Sequence, residues 1–401
     1  MIRIFDGEKC NIWYFYPPSA LAARIQALNA DNKNFEPQFC RFSPFLTITT
    51  MPKELTHWLL AERVAKRSAM SMNNSPKTSA DAELRDVRFS DALLHNEHCR
   101  RMLLLGAILH DAPYYTLSFP RDVFVGTQRR EAIRLANRLH AASEAVQDAD
   151  SFAIHDDSFD ILRAGLSALA ACKAHQILGL QAFLLGLCTH ICADCRFHPR
   201  IYFVSGNLWQ SPTEAWSRHR ALESALDLAF CRAYSVNPDK YSLTSILHAE
   251  AQHLSALLRL FPPLAPYTDD LLQGYAVLAR VRTIGTNTRL QALLDRTEYV
   301  LPASLRAYTA LRYTKHSFLQ TFLDEEADIS TQGIYQHPVT GNTHQHSYQQ
   351  LFDAAEEDSI SLWEQLMNAY STNTRFAVCG ASLEHGCLQQ SPRAMLYFKG
   401  A

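Results

Sequence analysis

Histidine and acidic side chains recur at four-residue intervals at two places in the sequence. His190 and Asp194 lie four residues apart at the end of a long apolar run, and His219 and Glu223 repeat this spacing further along. A four-residue step along an α-helix rotates a side chain by about 40°, so each pair shares one helix face. Imidazole and carboxylate groups are ligands that zinc takes in proteins. Each pair alone is also typical of a packed or exposed histidine–acid contact, so the metal prediction depends on further ligands.

His198 follows Asp194 after another four residues and is a third candidate ligand from the same stretch. Pro199 comes directly after it, and proline lacks the N–H that continues a helix. We therefore expect the helix to stop near Pro199. His198 would then turn away from the face that carries His190 and serve a neighbouring ion.

Three more candidate ligands lie near the ends of predicted helices earlier in the chain. His57 falls in the first turns of one predicted helix, and His140 directly follows another. Asp111 stands where Pro113 ends a third, which leaves its carboxylate free to point inward, whereas we expect His110 to face elsewhere. Taken singly, each is equally compatible with ordinary packing.

Apolar residues at helical spacing over most of the chain predict an all-α fold. Residues 1–50 are aromatic-rich and are predicted to be an extension, possessing short strands and one helix. Polar stretches at 68–86 and 333–347 are predicted to be loops. His344 and His346, in the second, are expected in an exposed turn and not at a metal. The predicted helices cover residues 55–64, 90–109, 129–139, 159–195 (one helix or a pair), 211–227, 242–260, 268–282, 305–327 and 348–369.

Composition limits the class of protein. The chain has 401 residues, of which 47% are hydrophobic and 19% charged, and its formal net charge is -2. Such a chain can bury a substantial core and has no compositional sign of disorder. A nearly neutral protein produces no global field that attracts nucleic acid or anionic membranes. Any recognition of phosphate must therefore be local.

Cysteine usage and hydropathy bear on location. Ten cysteines in a chain of this length are too few for a disulfide scaffold. Charged residues within residues 1–15 interrupt any signal-peptide core, so we expect reduced thiols and cytoplasmic residence by default. Signal-independent export, or delivery into a host cell, stays open. Residues 164–193 are the most apolar region, but Lys173 and other polar residues interrupt them and favour a buried helix or helix pair with no transmembrane segment.

Cys192 and Cys195 offer a rival interpretation of the central stretch, because a Cys-x-x-Cys sequence can bind zinc or exchange thiols. Cys192 lies about 200° around the helix from His190, so it does not readily join the face of His190 and Asp194. We interpret both cysteines as core packing.

Five motifs, in one order, resemble the zinc-dependent phospholipase C family, the all-helical phosphodiesterases of bacteria that bind three zinc ions. The motifs are Pro-x-x-x-Thr-His at 52–57, Gly-Ala-x-x-x-Asp-Ala-Pro at 106–113, Leu-His at 139–140, Leu-Gly-x-x-x-His-x-x-x-Asp-x-x-x-His-Pro at 185–199 and His-x-x-x-Glu at 219–223. The resemblance implies a single helical catalytic domain at 51–290, after the extension at 1–50. A helical C-terminal extension at 291–401 would pack on that core.

The resemblance also implies a ligand set for two to three zinc ions. The implied ligands are Asp111, His140, His190 and Asp194 for the first ion, His57 and the bridging Asp194 for the second, and His198, His219 and Glu223 for the third. In the secreted members, the N-terminal amine and carbonyl complete the second site. Here more than fifty residues precede His57. The second ion is accordingly expected to be weak, differently completed or absent.

The implied activity is hydrolysis of a phospholipid such as phosphatidylcholine to diacylglycerol and a phosphorylated headgroup. Zinc would neutralise charge on the phosphate and lower the pKa of a bound water toward about 7. Asp111 is the candidate general base. The implied partners are the phospholipid and, transiently, a membrane surface. Tyr114 and Tyr115 are candidates for a pocket wall, although aromatic residues next to a helix end favour core packing.

Two other functions stay open. The same zinc scaffold serves single-strand nucleases and nucleotidases, which need a basic groove and stacking surfaces. A candidate basic helix contains Arg129, Arg130, Arg134 and Arg138. The near-neutral overall charge nevertheless argues against stable nucleic-acid binding. A non-catalytic, zinc-stabilised binding protein is the third function, and its ions would be closed and four-coordinate.

Overall fold

Helices make up most of the structure that positions the candidate ligands. The computed structural model describes residues 54–74, 89, 92–93, 95–116, 127–142, 157–207, 210–286 and 324–399. All of them belong to one compact unit, residues 49–401. The predicted extension at 1–50, most of the predicted helix at 305–327 and the predicted boundary near residue 290 lie outside the described residues.

The all-α prediction is confirmed, with one short hairpin added. In chain order the helices are α1 (Glu54–Asn74), α2 (Glu97–Gly106), α3 (Thr127–Leu139), α4 (Asp160–Ala171), α5 (Ile177–Ser205), α6 (Pro212–Ala233), α7 (Leu243–Leu258), α8 (Thr268–Thr286) and α9 (Tyr348–Ser371). Short 3₁₀ turns occur at Ala112–Tyr115, Ala174–Gln176, Pro238–Lys240, Ala265–Tyr267 and Pro392–Ala394. The strands are β1 (Gly333–Gln336) and β2 (Thr343–His346).

The central helix of the bundle is α5, which packs against α1, α2, α4, α6 and α9. By length and composition the helical stretch Ala174–Ser205 could cross a membrane, but 78% of its most apolar window is buried inside the protein. Burial on this scale is typical of a core helix. The predicted helix pair corresponds to α4 and α5, which extended backbone at Cys172 and Lys173 separates.

Two glycines set the distance between α2 and α5. A Cβ added to Gly106 would lie 2.1 Å from the carbonyl oxygen of Phe183, and one added to Gly186 would lie 2.2 Å from that of Leu103. Both neighbours are backbone atoms of the facing helix, so neither can move aside without separating the helices. The absence of side chains at these positions allows the two backbones to touch.

The predicted helix at 90–109 is divided and ends early. The side chain of Asn96 accepts hydrogen bonds from two N–H groups of the next turn and starts α2 there. The helix stops at Gly106, because the following N–H groups bond three residues back and tighten the chain. This tight stretch leads to Asp111, the residue directly before a 3₁₀ turn.

The stretch predicted as a loop at 68–86 begins as helix, and that part of the prediction was wrong. α1 continues to Asn74, and Ser68 and Ala69 are buried. Their side chains extend the apolar face of the helix, which outweighs the polar composition of the stretch. Residues 75–86 lie outside the described residues.

Pro199 does not end the central helix, and that prediction was also wrong. α5 continues through Pro199 to Ser205. Proline leaves the carbonyl of Cys195 without its helical N–H partner. Gly386 packs directly against that carbonyl, since a Cβ added there would lie 2.9 Å from the oxygen. The helix therefore accommodates Pro199, because another segment covers the carbonyl of Cys195 that proline leaves without a partner.

The predicted loop at 333–347 is largely a hairpin. β1 and β2 pair antiparallel, with Gly333 opposite His346, and Gly341 adopts a φ of 72° in the connecting turn. Glycine takes this left-handed conformation without strain, so the strands can pair. His344 and His346 consequently lie on a strand, and the ring of His344 stacks on Tyr335 at a centroid distance of 5.3 Å.

The chain after α9 is irregular, and we call residues 372–399 the C-terminal segment. It begins where α9 ends, and α9 ends two residues beyond the predicted helix at 348–369. Backbone hydrogen bonds tie it to the hairpin, since the N–H of Leu396 donates to Pro338 at 2.7 Å, and to α5, since the N–H of Lys399 donates to Phe203 at 2.7 Å. It also reaches the interior of the bundle.

Candidate metal centre

The structure brings all eight predicted ligands to one place inside the bundle. All are buried, with 0–3% of each residue exposed. The contributors are His57 on α1, Asp111 after α2, His140 after α3, the row His190, Asp194 and His198 on α5, and His219 with Glu223 on α6.

Asp194 lies between two sets of imidazoles. Its Oδ2 is 3.1 Å from Nε2 of His190 and 3.9 Å from Nε2 of His140. Its Oδ1 is 3.4 Å from Nε2 of His57 and 3.9 Å from Nε2 of His198. Each carboxylate oxygen thus faces a different pair of nitrogens, which is the arrangement of a carboxylate that bridges two ions.

Asp111 completes the set around Oδ2 of Asp194. Its Oδ1 lies 3.8 Å from Nε2 of His140 and 3.9 Å from Nε2 of His190. Donors about 2.0–2.1 Å from a tetrahedral zinc ion are separated by about 3.3 Å. The observed separations are close to that value, and small shifts would make the four groups fit zinc.

The second group consists of His198, His219 and Glu223. Oε1 of Glu223 lies 2.7 Å from Nε2 of His219 and 3.7 Å from Nε2 of His198. The helical continuation through Pro199 does not remove His198 from this group, because α6 brings its two ligands alongside α5. His198 therefore lies between Asp194 and Glu223.

Three of the imidazoles are oriented by backbone carbonyls. In each, Nδ1 lies within hydrogen-bond distance of an oxygen that can only accept, so Nδ1 carries a hydrogen and Nε2 is the nitrogen left to bind a metal. The acceptors are Ala136 for His140 at 2.8 Å, Ala107 for His190 at 2.8 Å and Leu383 for His198 at 2.7 Å. The orientation of each ring, with Nε2 towards the centre, is thereby fixed before any ion binds.

The donor atoms that converge here face one another and have no hydrogen-bond partner outside the centre. Buried polar atoms without partners are rare and costly, so each calls for an explanation. They are both oxygens of Asp111 and of Glu223, Oδ2 of Asp194, Nε2 of His140, His190 and His198, and both ring nitrogens of His219. An N/O donor set of this kind, without cysteine, fits zinc.

The charges of the centre are strongly coupled. Burial lowers the pKa of His57 to about 3. Burial also opposes the protonation of His190 and His198, but nearby carboxylates, Asp194 foremost, outweigh it and raise their pKa values to about 9 and about 10. Burial raises the pKa of Asp111, whereas the surrounding imidazoles outweigh burial at Asp194 and lower its pKa. Asp111 is thus the better proton acceptor of the two carboxylates.

The sequence suggested that His110 faces away from the centre, but in the structure it lines the centre. Its ring stacks on that of His190 with centroids 4.6 Å apart. The ring of His57 also stacks on that of His190, with centroids 4.3 Å apart. Both ring nitrogens of His110 are buried without partners. The tight turn after Gly106 brings His110 inward together with Asp111.

Residues that the sequence did not single out hold the ligands in place. Asp227 lies one turn beyond Glu223 on α6, and it accepts the N–H groups of Leu55 and Thr56 at 3.1 and 2.8 Å, which fixes the start of the helix that carries His57. The spacing of His219, Glu223 and Asp227 was a signal that could have identified it.

The C-terminal segment supplies the remaining support. The N–H of Leu383 donates to the carbonyl of His140 at 2.9 Å, while its carbonyl accepts from His198. Next to it, Glu384 accepts a hydrogen bond from the hydroxyl of Tyr202. Tyr202 continues the four-residue row of α5 and was therefore visible in the sequence, whereas nothing in the sequence pointed to the backbone of Leu383.

A small pocket adjoins the ligands between α1, α5 and α6. Ligand residues form one wall, and apolar side chains form most of the rest. The lining residues are Thr56, His57, Ala193, Asp194, Phe197, His198, Ile201, Glu223, Leu226 and Asp227. Tyr114 and Tyr115 do not line this pocket; both are buried, and the ring of Tyr114 packs 5.2 Å from that of His140.

Residues 56–262 match the family model of zinc-dependent phospholipase C. The chain belongs to the zinc-dependent phospholipase C family. The match includes all eight candidate ligands but neither the hairpin nor the C-terminal segment. No curated protein and no solved structure matches the chain. Family membership supports a zinc-dependent, phospholipase C-type function, for which the clusters of histidine and acidic side chains could hold the metal.

The cysteines of the central stretch take no part in the centre. Cys192 is buried beside α9, and burial raises the pKa of its thiol to about 12. Both Cys192 and Cys195 are free thiols. A thiol with so high a pKa is neither a ready metal ligand nor a nucleophile.

Proposed function

We propose that the protein is a phospholipase C that hydrolyses the phosphodiester of a phospholipid and holds two to three zinc ions. The observation that carries the proposal is Asp194, whose two oxygens face separate pairs of buried imidazole nitrogens. Buried, partnerless donors joined by one carboxylate favour a multinuclear centre over a single structural ion. The family match supports the same chemistry.

The bound zinc would supply Lewis acidity for the phosphate and a water of lowered pKa. The protein's own groups would hold the ions and orient the side chains that bind them. His140, His190 and His198 present Nε2 in fixed positions, because backbone carbonyls hold their Nδ1 hydrogens. Asp111 is the proposed general base, since both of its oxygens lack partners and burial raises the pKa of its carboxyl.

The adjoining pocket is suited to a substrate that is part polar and part apolar. Phe197, Ile201 and Leu226 provide an apolar wall next to Asp194 and Glu223. Apolar walls with a few placed polar groups are typical of small-molecule sites. A phosphodiester with an attached hydrocarbon portion matches that division better than a single-stranded nucleic acid, which needs stacking surfaces and a basic groove.

The test combines metal content with substrate choice. Full-length protein purified without chelator is assayed for zinc and for hydrolysis of short-chain, monomeric phosphatidylcholine and of single-stranded DNA. We expect two to three zinc ions per chain and cleavage of the phospholipid to diacylglycerol. The variant Asp111→Asn tests the base, and it should lose hydrolysis by a larger factor than it loses zinc.

Each other result has a defined meaning. Cleavage of DNA without phospholipid cleavage would replace the proposal with the nuclease function. Stoichiometric zinc without either activity would favour a zinc-stabilised binding protein. Absence of zinc would contradict the ligand assignment itself.

A further inference from the structure

A second convergence of metal-binding side chains lies away from the central ligands, between α2 and α7. Nδ1 of His98 is 2.7 Å from Oε2 of Glu250, and Nδ1 of His253 is 3.1 Å from the same oxygen. The three donor atoms lie within 4.8 Å of one another. None of these residues takes part in the proposed hydrolysis.

The surrounding structure fixes two of the three donors. The side chain of Glu250 is 3% exposed, and its other oxygen lies 3.3 Å from Nη1 of Arg101, which prevents the carboxylate from rotating. The ring of His98 rests over Gly179 at the start of α5, where an added Cβ would lie 2.6 Å from Nε2 of His98. The missing side chain at Gly179 makes room for the imidazole and leaves its Nδ1 directed at Glu250.

The donor set is one that divalent metals take. Glu250 and His253 form a Glu-x-x-His pair on one helix, the spacing used by carboxylate-rich metal centres in helical bundles. Two imidazoles and one carboxylate provide three protein ligands, and zinc completes such a set with water. The side chains of His98 and His253 are 33% and 66% exposed, so an ion and its water have access from solvent.

We propose that His98, Glu250 and His253 form a peripheral divalent-metal site that binds zinc and joins α2 to α7. Arg101 neutralises part of the carboxylate charge, so the peripheral site binds zinc more weakly than the buried centre does. Its position gives the ion a structural effect, because α2 leads directly into the turn that carries Asp111. The ion stabilises the attachment of that helix to its neighbour.

The test uses full-length protein whose tightly bound zinc has been counted after dialysis. Zinc is then added back at about 10 µM free ion, and bound metal and Tm are measured for wild type, His253→Ala and His248→Ala. His248 is an exposed histidine on the same helix, outside the cluster, and serves as the matched control. His253 is exposed enough for its replacement to leave the fold intact.

We expect wild type and His248→Ala to take up one more zinc ion than His253→Ala. Their Tm should rise by roughly 2–4 °C on addition of zinc, and the Tm of His253→Ala should not. The zinc retained after dialysis should be equal in all three proteins. Equal uptake by wild type and His253→Ala, or equal loss in both variants, would overturn the proposal. Hydrolytic activity does not enter, so this result is independent of the proposed function.

Discussion

The ligand-bearing helices and the C-terminal segment contribute to the metal centre in different ways. The helices supply side chains at regular spacings, all within the residues that match the family. The C-terminal segment lies outside the match and contributes backbone: Leu383 accepts from His198 and donates to the carbonyl of His140. The comparison shows that the orientation of His198 comes from a part of the chain that supplies no ligand, whereas His140 and His190 are oriented within the matched residues. Changes in the helices should remove ions, whereas changes in the C-terminal segment should weaken the binding of the ions.

The largest effect should follow Asp194→Ala, which removes the carboxylate that lies between two pairs of imidazoles. We expect zinc content to fall from two or three ions to at most about one, and hydrolysis to fall at least about a thousandfold, because bound metal contributes several kcal/mol to the transition state. Glu223→Ala removes a ligand of one group and should cost about one ion. Metal analysis of both proteins checks this.

If wild type holds three ions, equal zinc loss in the two variants would contradict the bridging role of Asp194. Retention of all zinc by either variant would separate that residue from the centre.

A smaller effect should follow a change in the C-terminal segment. Gly386 has a φ of 70°, and its added Cβ would meet the carbonyl of Cys195. In Gly386→Ala the turn that holds Leu383 must shift, so zinc should bind His198, His219 and Glu223 about tenfold more weakly, as when other outer supports of metal ligands are lost. Competition with a chelator measures the change.

The matched control for this change is Gly341→Ala. Gly341 has a φ of 72°, so alanine carries a similar backbone cost of roughly 1–2 kcal/mol there, in the hairpin turn. Its zinc affinity should equal that of wild type. If both variants lose zinc alike, general destabilisation and not the position of Leu383 is responsible.

Acid should loosen the same segment through His385. Its Nδ1 accepts the N–H of Cys387 at 3.2 Å and its Nε2 donates to Gln390 at 3.1 Å, so the folded state holds a neutral ring. Burial lowers its pKa from 6.5 to about 4. The unfolded chain takes up this proton below pH 6.5 and the folded chain does not, so the stabilisation is present above pH 6.5 and is lost as the pH falls toward 4.

Urea unfolding at pH 7 and pH 5 measures this loss. Between these values the unfolding free energy of wild type should fall by about 2 kcal/mol more than that of His385→Gln, which has no group to protonate. The other histidines titrate in both proteins and cancel in the difference. An identical pH dependence would show that the segment does not depend on a neutral His385.

The smallest effect should come from α3, where Arg134 is 72% exposed and pairs with Glu131. Arg134→Ala should change the unfolding free energy by less than about 0.5 kcal/mol and leave zinc content unchanged. It should also leave phospholipid hydrolysis unchanged. A selective loss of DNA cleavage in this variant would instead support the basic helix of a nuclease.

The sequence predicted which side chains could come together better than it predicted the structure that holds them. His190, Asp194, His219 and Glu223 were found because a repeat of four residues places side chains on one helix face. The course of α5 beyond Pro199 could not be predicted, because it depends on Gly386, far away in the chain, covering one free carbonyl. The support from Leu383 was invisible for a similar reason, since backbone groups are the same at every residue. His110 was misplaced because a tight turn, and not helical geometry, sets its direction.

The backbone contact between α2 and α5 limits the substitutions that the sequence can accept. Gly106 and Gly186 carry no functional group, yet any side chain at either position would push apart the helices that lead to Asp111 and His190. A survey of all single substitutions should therefore find these two positions as intolerant as the ligands themselves. A compensating second mutation cannot restore the contact, because no residue is smaller than glycine. Substitutions should therefore accumulate at other positions, while these two positions should stay glycine.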